Sequence, residues 1–158
     1  MKKAIVHLEA MKLIGISCRT NNATELQGSG KIFPLVQKYH TTIAPKIISQ
    51  TSAAYSVYTE YASDYNGDYT YFIGAQVASI DNIPEGCSSL IIPQQKYAKF
   101  TTEYGQFPAI CIAAWHEIWR MQNIELGGAR NYLSDFEVYD ERAADLNNAA
   151  LDIYIGIH

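Results

Sequence analysis

The chain has 158 residues, of which 48% are hydrophobic and 18% charged, and its formal charge is −4. That is enough apolar content for one compact domain, and it excludes a disordered chain. The acidic balance argues against non-specific binding of phosphate backbones, which needs clustered Lys and Arg.

Residues 4–20 contain no proline and mix alternating with continuous apolar residues. They predict one long strand, or two strand pieces, ending near Arg19. Glu9 and Lys12 interrupt the N-terminal apolar run, so it is neither a signal peptide nor a membrane span, and no later stretch reaches about 18 apolar residues. The "NNATELQGSG" that follows reads as a loop, with Ser29 a candidate cap for the next helix. Between Lys31 and Ile48, apolar residues recur at helical spacing from Ile32 to Ile47. Pro34 is tolerable in a first turn, and Pro45 makes continuation past Ala44 doubtful.

Residues 53–61 read as a strand, "ASDYNGD" as a turn with an Asn66-Gly67 hairpin signal, and 68–79 as the returning strand. A loop leads to 89–102, a strand pair or bent strand. Residues 107–122 predict a strong helix. His116, Glu117 and Arg120 mark its wet face, with Ala109 and Ala113 continuing that stripe; Ile112, Trp115, Ile118 and Trp119 mark the buried one. Gly127 and Gly128 break it. "YLSDFEVYD" and "ALDIYIGI" supply the last strands. In "DFEVYD" side chains alternate, so Phe136 and Val138 face one way and Glu137 and Tyr139 the other.

The order strand–helix–strand–strand occurs twice. "YTEYASDYNGDYTYFIGA" is echoed by "FEVYDERAADLNNAALDIYIGI", each with an aromatic-flanked glutamate (Glu60, Glu137), a polar loop and an aromatic-Ile-Gly strand. An internal duplication follows: an α+β fold of two pseudo-twofold-related modules, about 1–80 and 81–158, with antiparallel sheets and two main helices in one domain. Modules so related meet along a cleft, a common place for small-molecule sites.

Twelve tyrosines suit either strands or half-wet ligand pockets. Cys18, Cys87 and Cys111 have no CxxC spacing and read as small buried thiols in a reducing cytoplasm. "HEIWR" lacks the second histidine of a zinc motif, since that position is Arg120. "GSGK" lacks the Walker spacing, with Glu25 and Ile32 where Gly and Ser or Thr are needed. No metal or cofactor is implied, and no Ser-His-Asp or Cys-His arrangement can be judged from spacing alone.

"GIS" at Gly15–Ser17, "IPQQKYAKF" at 92–100, the Trp-bearing "AAWHEIW", "DFEVYD" and "DIYIGI" together resemble the gyrase-inhibitor-like family. That family also supplies the effector-binding domains of AraC-type and multidrug-responsive MerR-type regulators. Gln95 stands where the family has glycine, and Gly156 where it has proline. The resemblance implies a hydrophobic, aromatic-lined pocket with Glu137 at its base, awaiting a small lipophilic cation. Trp115, Trp119, Tyr139 and Tyr61 are then candidates for the wall, followed by Phe107 and Tyr71. It further implies a stand-alone sensing domain that contacts neither nucleic acid nor membrane, with a separate protein partner or a homodimer both open. Two rivals are a hydrolase of reactive small molecules, with Glu137 and Tyr139 as acid and base, and a protein inhibitor of gyrase.

Overall fold

The computed structural model describes all residues from Met1 to His158. Eight strands form a single antiparallel sheet in the order β1-β6-β8-β7-β3-β4-β2-β5. The strands are β1 Lys2–Leu8, β2 Met11–Asn21, β3 Ala54–Thr59, β4 Asp68–Gln76, β5 Ser88–Ile92, β6 Gln95–Thr101, β7 Ser134–Tyr139 and β8 Asp152–Ile157. The two repeats meet at the β3–β7 pairing, where Ser56 stands opposite Glu137.

Two-residue links join β1 to β2 and β5 to β6, although each pair lies six positions apart in the sheet. Six strand spacings would cover about 29 Å in a flat sheet. A two-residue link reaches only about 11 Å. The sheet therefore curls until its ends approach one another. The curl encloses Leu13, Val57, Phe72, Ile92, Tyr97 and Phe136, which come from both ends and from the middle. Gly15 faces Gly74 across β2 and β4. A Cβ on Gly15 would sit 1.9 Å from the Ile73 carbonyl oxygen, so only glycine fits there.

The helices cover the other face. They are α1 Asn22–Leu26, α2 Ile32–Lys38, α3 Ala109–Arg120 and α4 Asn123–Leu126. On this face α3 and α4 pack on β6 and β8 through Trp115, Ile118, Leu126, Phe100, Ile153 and Ile155. In the first repeat, α2 and the turn after it pack on β2 and β4 through Tyr39, Ile43, Ile16, Tyr69, Tyr71 and Ile73.

Several local expectations need correction. The stretch read as a loop contains α1, which starts because the Asn21 side chain accepts a bond from the Thr24 amide. Ser29 does not cap α2. The Glu25 carboxylate does so from the preceding helix, accepting from the Lys31 and Ile32 amides at 2.9 and 3.0 Å. After Lys38 the helix widens into a π turn over Tyr39–Ile43 and runs on through a 3-10 turn at Ala44–Lys46, so helical backbone passes Ala44, where a stop was expected, and contains Pro45 in its last, tighter turn. The short α4 went unforeseen, although Gln122 and Glu125 form a capping box around its start. Ile112, expected on the buried side of α3, is 47% exposed. The three cysteines are half-buried and free. No helix is long and apolar enough to cross a membrane.

Candidate functional site

Strand β7 turns Asp135, Glu137 and Tyr139 toward the helices, while Phe136 packs inside the curl. Glu137 is 2% exposed. It makes no ion pair; the basic side chains that do so reach Asp135, Asp140 and Asp152. Four donors surround it. Tyr139 donates its hydroxyl to Oε1 at 2.6 Å. Trp115 Nε1 donates to Oε2 at 2.5 Å, the Tyr58 hydroxyl at 3.1 Å and the Cys111 thiol at 3.4 Å. The sequence had implied a bare carboxylate at the base of a pocket; the structure shows one dressed by neutral donors.

Burial raises the Glu137 carboxyl above the ordinary glutamate value, because ionising it in a dry site costs solvation. The bonds from Tyr139, Trp115, Tyr58 and Cys111 pull the other way. Burial, and then the Glu137 charge, push the hydroxyls of Tyr58, Tyr71 and Tyr139 far up. They stay neutral; those of Tyr58 and Tyr139 donate to the carboxylate, and that of Tyr71 bonds Ser56. The Cys111 thiol is raised for the same two reasons, so it is not a thiolate at neutral pH.

In front of this cluster lies a cleft of about 640 Å³, open mouth included. Tyr58, Trp115 and Cys111 are shared: they line the cleft and also bond Glu137. Tyr58 is the hub of the wall, with Trp115 at 5.2 Å and Tyr69 and Tyr71 each at 5.4 Å between ring centroids. Tyr65, also lining the cleft, stacks on Trp119 at 5.6 Å, 8° from parallel. Leu26 and Ile112 leave apolar surface at the cleft that is more than a third exposed. That explains Ile112: periodicity marks an apolar face and cannot say whether core or cleft covers it.

Of the residues proposed from sequence, Trp115, Trp119 and Tyr61 line the cleft. Glu137 lies behind its wall, and Tyr139 bonds Glu137 from the far side. Phe107 sits edge-on against Tyr139 at 5.7 Å, outside the cleft. Tyr71 lies beneath Tyr58 and bonds Ser56 at 2.7 Å. Glu60 does not share the place of Glu137. It is exposed beyond the end of β3 at φ 50°, and its carbonyl accepts from Arg19 at 2.5 Å.

Sequence reasoning missed Tyr58, Cys111, Tyr69, Glu25 and Arg130. Cys111 was recoverable, being one helical turn before Trp115 on the same stripe. Arg130 carried no signal. It follows the paired glycines and is placed by a bridge to Ile157 at the end of β8.

The family whose pattern matches residues 4–157 is described as integron-associated effector binding protein. The chain belongs to this family. YobU of Bacillus subtilis, named as a transcriptional regulator, is 31% identical over 97% of this chain and 96% of its own. The chain also matches about a third of the transcriptional regulator BrlR of Pseudomonas aeruginosa, at 34% identity. An integron cassette protein from the mobile metagenome of Vibrio cholerae superposes with a TM-score of 0.80 at 27% identity, over 99% of this chain and 95% of that one. SAV2435, solved bound to tetraphenylphosphonium, shares the fold with a TM-score of 0.78 at 15% identity, over the whole of this chain and 94% of that one. The chain is thus an effector-binding module related to transcription regulators.

Proposed function

We propose that this module binds small lipophilic organic cations in the aromatic cleft, with Glu137 supplying the opposing charge from behind the wall. One observation carries the reading: a carboxylate buried without any basic partner stands directly behind the rings that line the cleft. A buried anion without a countercharge is expensive, and a cation arriving in front of it offsets that cost. The contact is indirect. The cation rests on the faces of Tyr58 and Trp115, whose O–H and N–H point at the carboxylate. Each ring contributes about 0.5–2 kcal/mol of cation–π attraction. Charge and flatness then set the specificity, so ligands of different outline are accepted.

The same geometry argues for binding over catalysis. Glu137 is sealed from the cleft by Tyr58, Trp115 and Cys111, so no substrate atom lies against it. The output is either sequestration of the ligand or a signal to a separate partner in the cytoplasm.

The test uses tetraphenylphosphonium and tetraphenylborate, which have nearly the same shape and opposite charge. Calorimetric titration is expected to give a micromolar Kd or better for the cation, about −8 kcal/mol, and no binding of the borate. Equal binding of both would reduce the site to a greasy cleft. Consumption of an electrophilic ligand with turnover would make the protein an enzyme.

A further inference from the structure

Among the residues lining the same cleft, Arg130 has a side chain that is only 7% exposed. One of its nitrogens, Nη2, donates to Asp135 Oδ2 at 2.5 Å. The other two, Nε and Nη1, are shut from water and donate to nothing. Buried donors without acceptors are rare in folded proteins, and each costs free energy. The side chain is nonetheless held firmly. Tyr132, in the left-handed region at φ 52°, lays its ring over the guanidinium with Cζ 4.3 Å from the centroid. The Tyr61 hydroxyl donates to the same Asp135 oxygen at 2.6 Å, and Gly156 N–H to the other at 2.8 Å. The backbone on either side is pinned as well: the His158 amide donates to the Ala129 carbonyl and the Asn131 amide to the Gly156 carbonyl. Neither free nitrogen meets solvent, so a ligand oxygen reaches one only when the side chains covering it shift aside; a firmly held, half-satisfied guanidinium among the cleft-lining residues is what a site completed in that way would hold ready.

We propose that the cleft recognises a second feature of its ligand, a carbonyl-type hydrogen-bond acceptor that Arg130 receives while the cationic part lies over Tyr58 and Trp115. The effector is then a lipophilic cation bearing an amide, ester or ketone. Asp135 already balances the charge of Arg130, and Glu137 stands two residues along the strand, about 6.6 Å away. The need at Arg130 is for a lone pair and not for a further anion, so a neutral carbonyl fits better than a carboxylate. This inference rests on the cationic reading of the cleft, and the test separates the two.

The full chain is titrated with pentyltriphenylphosphonium, with the carboxamide of the same chain length, (4-carbamoylbutyl)triphenylphosphonium, and with the uncharged 2-naphthamide. The carboxamide is more polar than the pentyl chain, so apolar burial alone would make it the weaker ligand. It is expected to bind about tenfold tighter, the scale of one hydrogen bond to a charged donor. In R130M/D135N, which removes both charges together, the ratio of the two Kd values should fall to about one. Thermal unfolding checks that this variant folds. If it does not, R130K replaces it, since a lysine keeps the ion pair and loses the planar fork, and most of the advantage should go. A carboxamide no tighter than the pentyl compound on the natural chain, or an advantage that survives in the variant, overturns the proposal and leaves the cationic reading standing. If neither phosphonium binds, the cationic reading falls and 2-naphthamide decides: binding that the variant loses upholds the acceptor site, and no binding overturns it.

Discussion

Glu137→Gln isolates the charge with little disturbance of shape. The natural carboxylate takes three donors on Oε2 and one, Tyr139, on Oε1. A glutamine with its oxygen at the Oε2 position keeps the first three. Its amide group then faces the Tyr139 hydroxyl, which can rotate to accept. The second amide N–H has no acceptor and the Tyr139 proton is left with only the weak Cys111 sulfur at 3.6 Å, so the stability change should remain within about 2 kcal/mol. Binding should change more. A cation on the ring faces lies about 6.5 Å from the carboxylate, which at an effective dielectric of about 20 corresponds to about 2.5 kcal/mol. That is about a 70-fold loss in Kd for tetraphenylphosphonium, read by calorimetry with unfolding curves on both proteins. The loss should persist between low and moderate salt, because screening acts weakly behind the wall. If the variant stays folded and binds within twofold of the natural chain, the carboxylate is not the anchor, and the aromatic surface alone carries affinity.

Binding of a permanent cation should strengthen as pH rises through the raised titration of Glu137, by at most about one decade per pH unit, and E137Q should be flat. His116 also lines the cleft, so both titrations are run on a His116→Gln background. Without ligand the sign reverses: folded Glu137 holds its proton more tightly than the unfolded chain, so its contribution is full below the ordinary glutamate value and is lost as pH rises through the raised one. Asp140, lowered chiefly by its bonds from Arg142, and Asp152, where burial pushes the carboxyl up but Arg142, Thr101 and Lys99 together bring it below the ordinary value, act oppositely: their contribution is present above the ordinary aspartate value and lost as pH falls, as acid unfolding monitored by circular dichroism will show. Trp115→Phe deletes the 2.5 Å donor to Glu137 and should cost about 1.5–3 kcal/mol in denaturant unfolding. Gly156→Pro, which restores the residue usual in the resembled family, should destabilise by about 2 kcal/mol or more, because Asp135 loses the Gly156 N–H and the added ring collides with Asn131 and Gln95. Adding Gln95→Gly should recover part of that loss, since a Cβ at residue 156 would stand 2.7 Å from Gln95 Nε2. The same unfolding assay reads both variants.

The last pair shows what the sequence could and could not disclose. Gln95 and Gly156 read as two separate departures from a family pattern. In the fold they touch: the Gln95 amide donates to the Ser134 carbonyl and accepts from Asn131, in the space a larger residue 156 would occupy. Element types followed from periodicity, and the duplicated order was visible in "YTYFIGA" and "DIYIGI". Burial of Glu137 was legible only through the family resemblance, because alternation assigns a residue to a face and cannot say what covers that face; its place behind the rings of Tyr58 and Trp115 carried no signal. Tyr58 shows the same limit. It stands three residues before Tyr61, and only the register of β3 against β7 brings its hydroxyl to Glu137. Arg130 sits in a segment without periodicity, where position depends on backbone bonds to a strand end far along the chain.

The two-residue links between sheet ends have a consequence for assembly of the chain. Strand β1 pairs only with β6, and β5 only with β2, so each half of the molecule is finished by a strand from the other half of the chain. Neither half closes its own sheet. A fragment cut near residue 80 would lack the partner of β1 and leave the outer edge of β2 bare, an invitation to intermolecular pairing. The duplicated modules are therefore expected to unfold in one transition, with β1 and β5 as mutual latches. The cleft takes residues from both halves, so a single event assembles it, and a bound effector steadies the whole sheet at once.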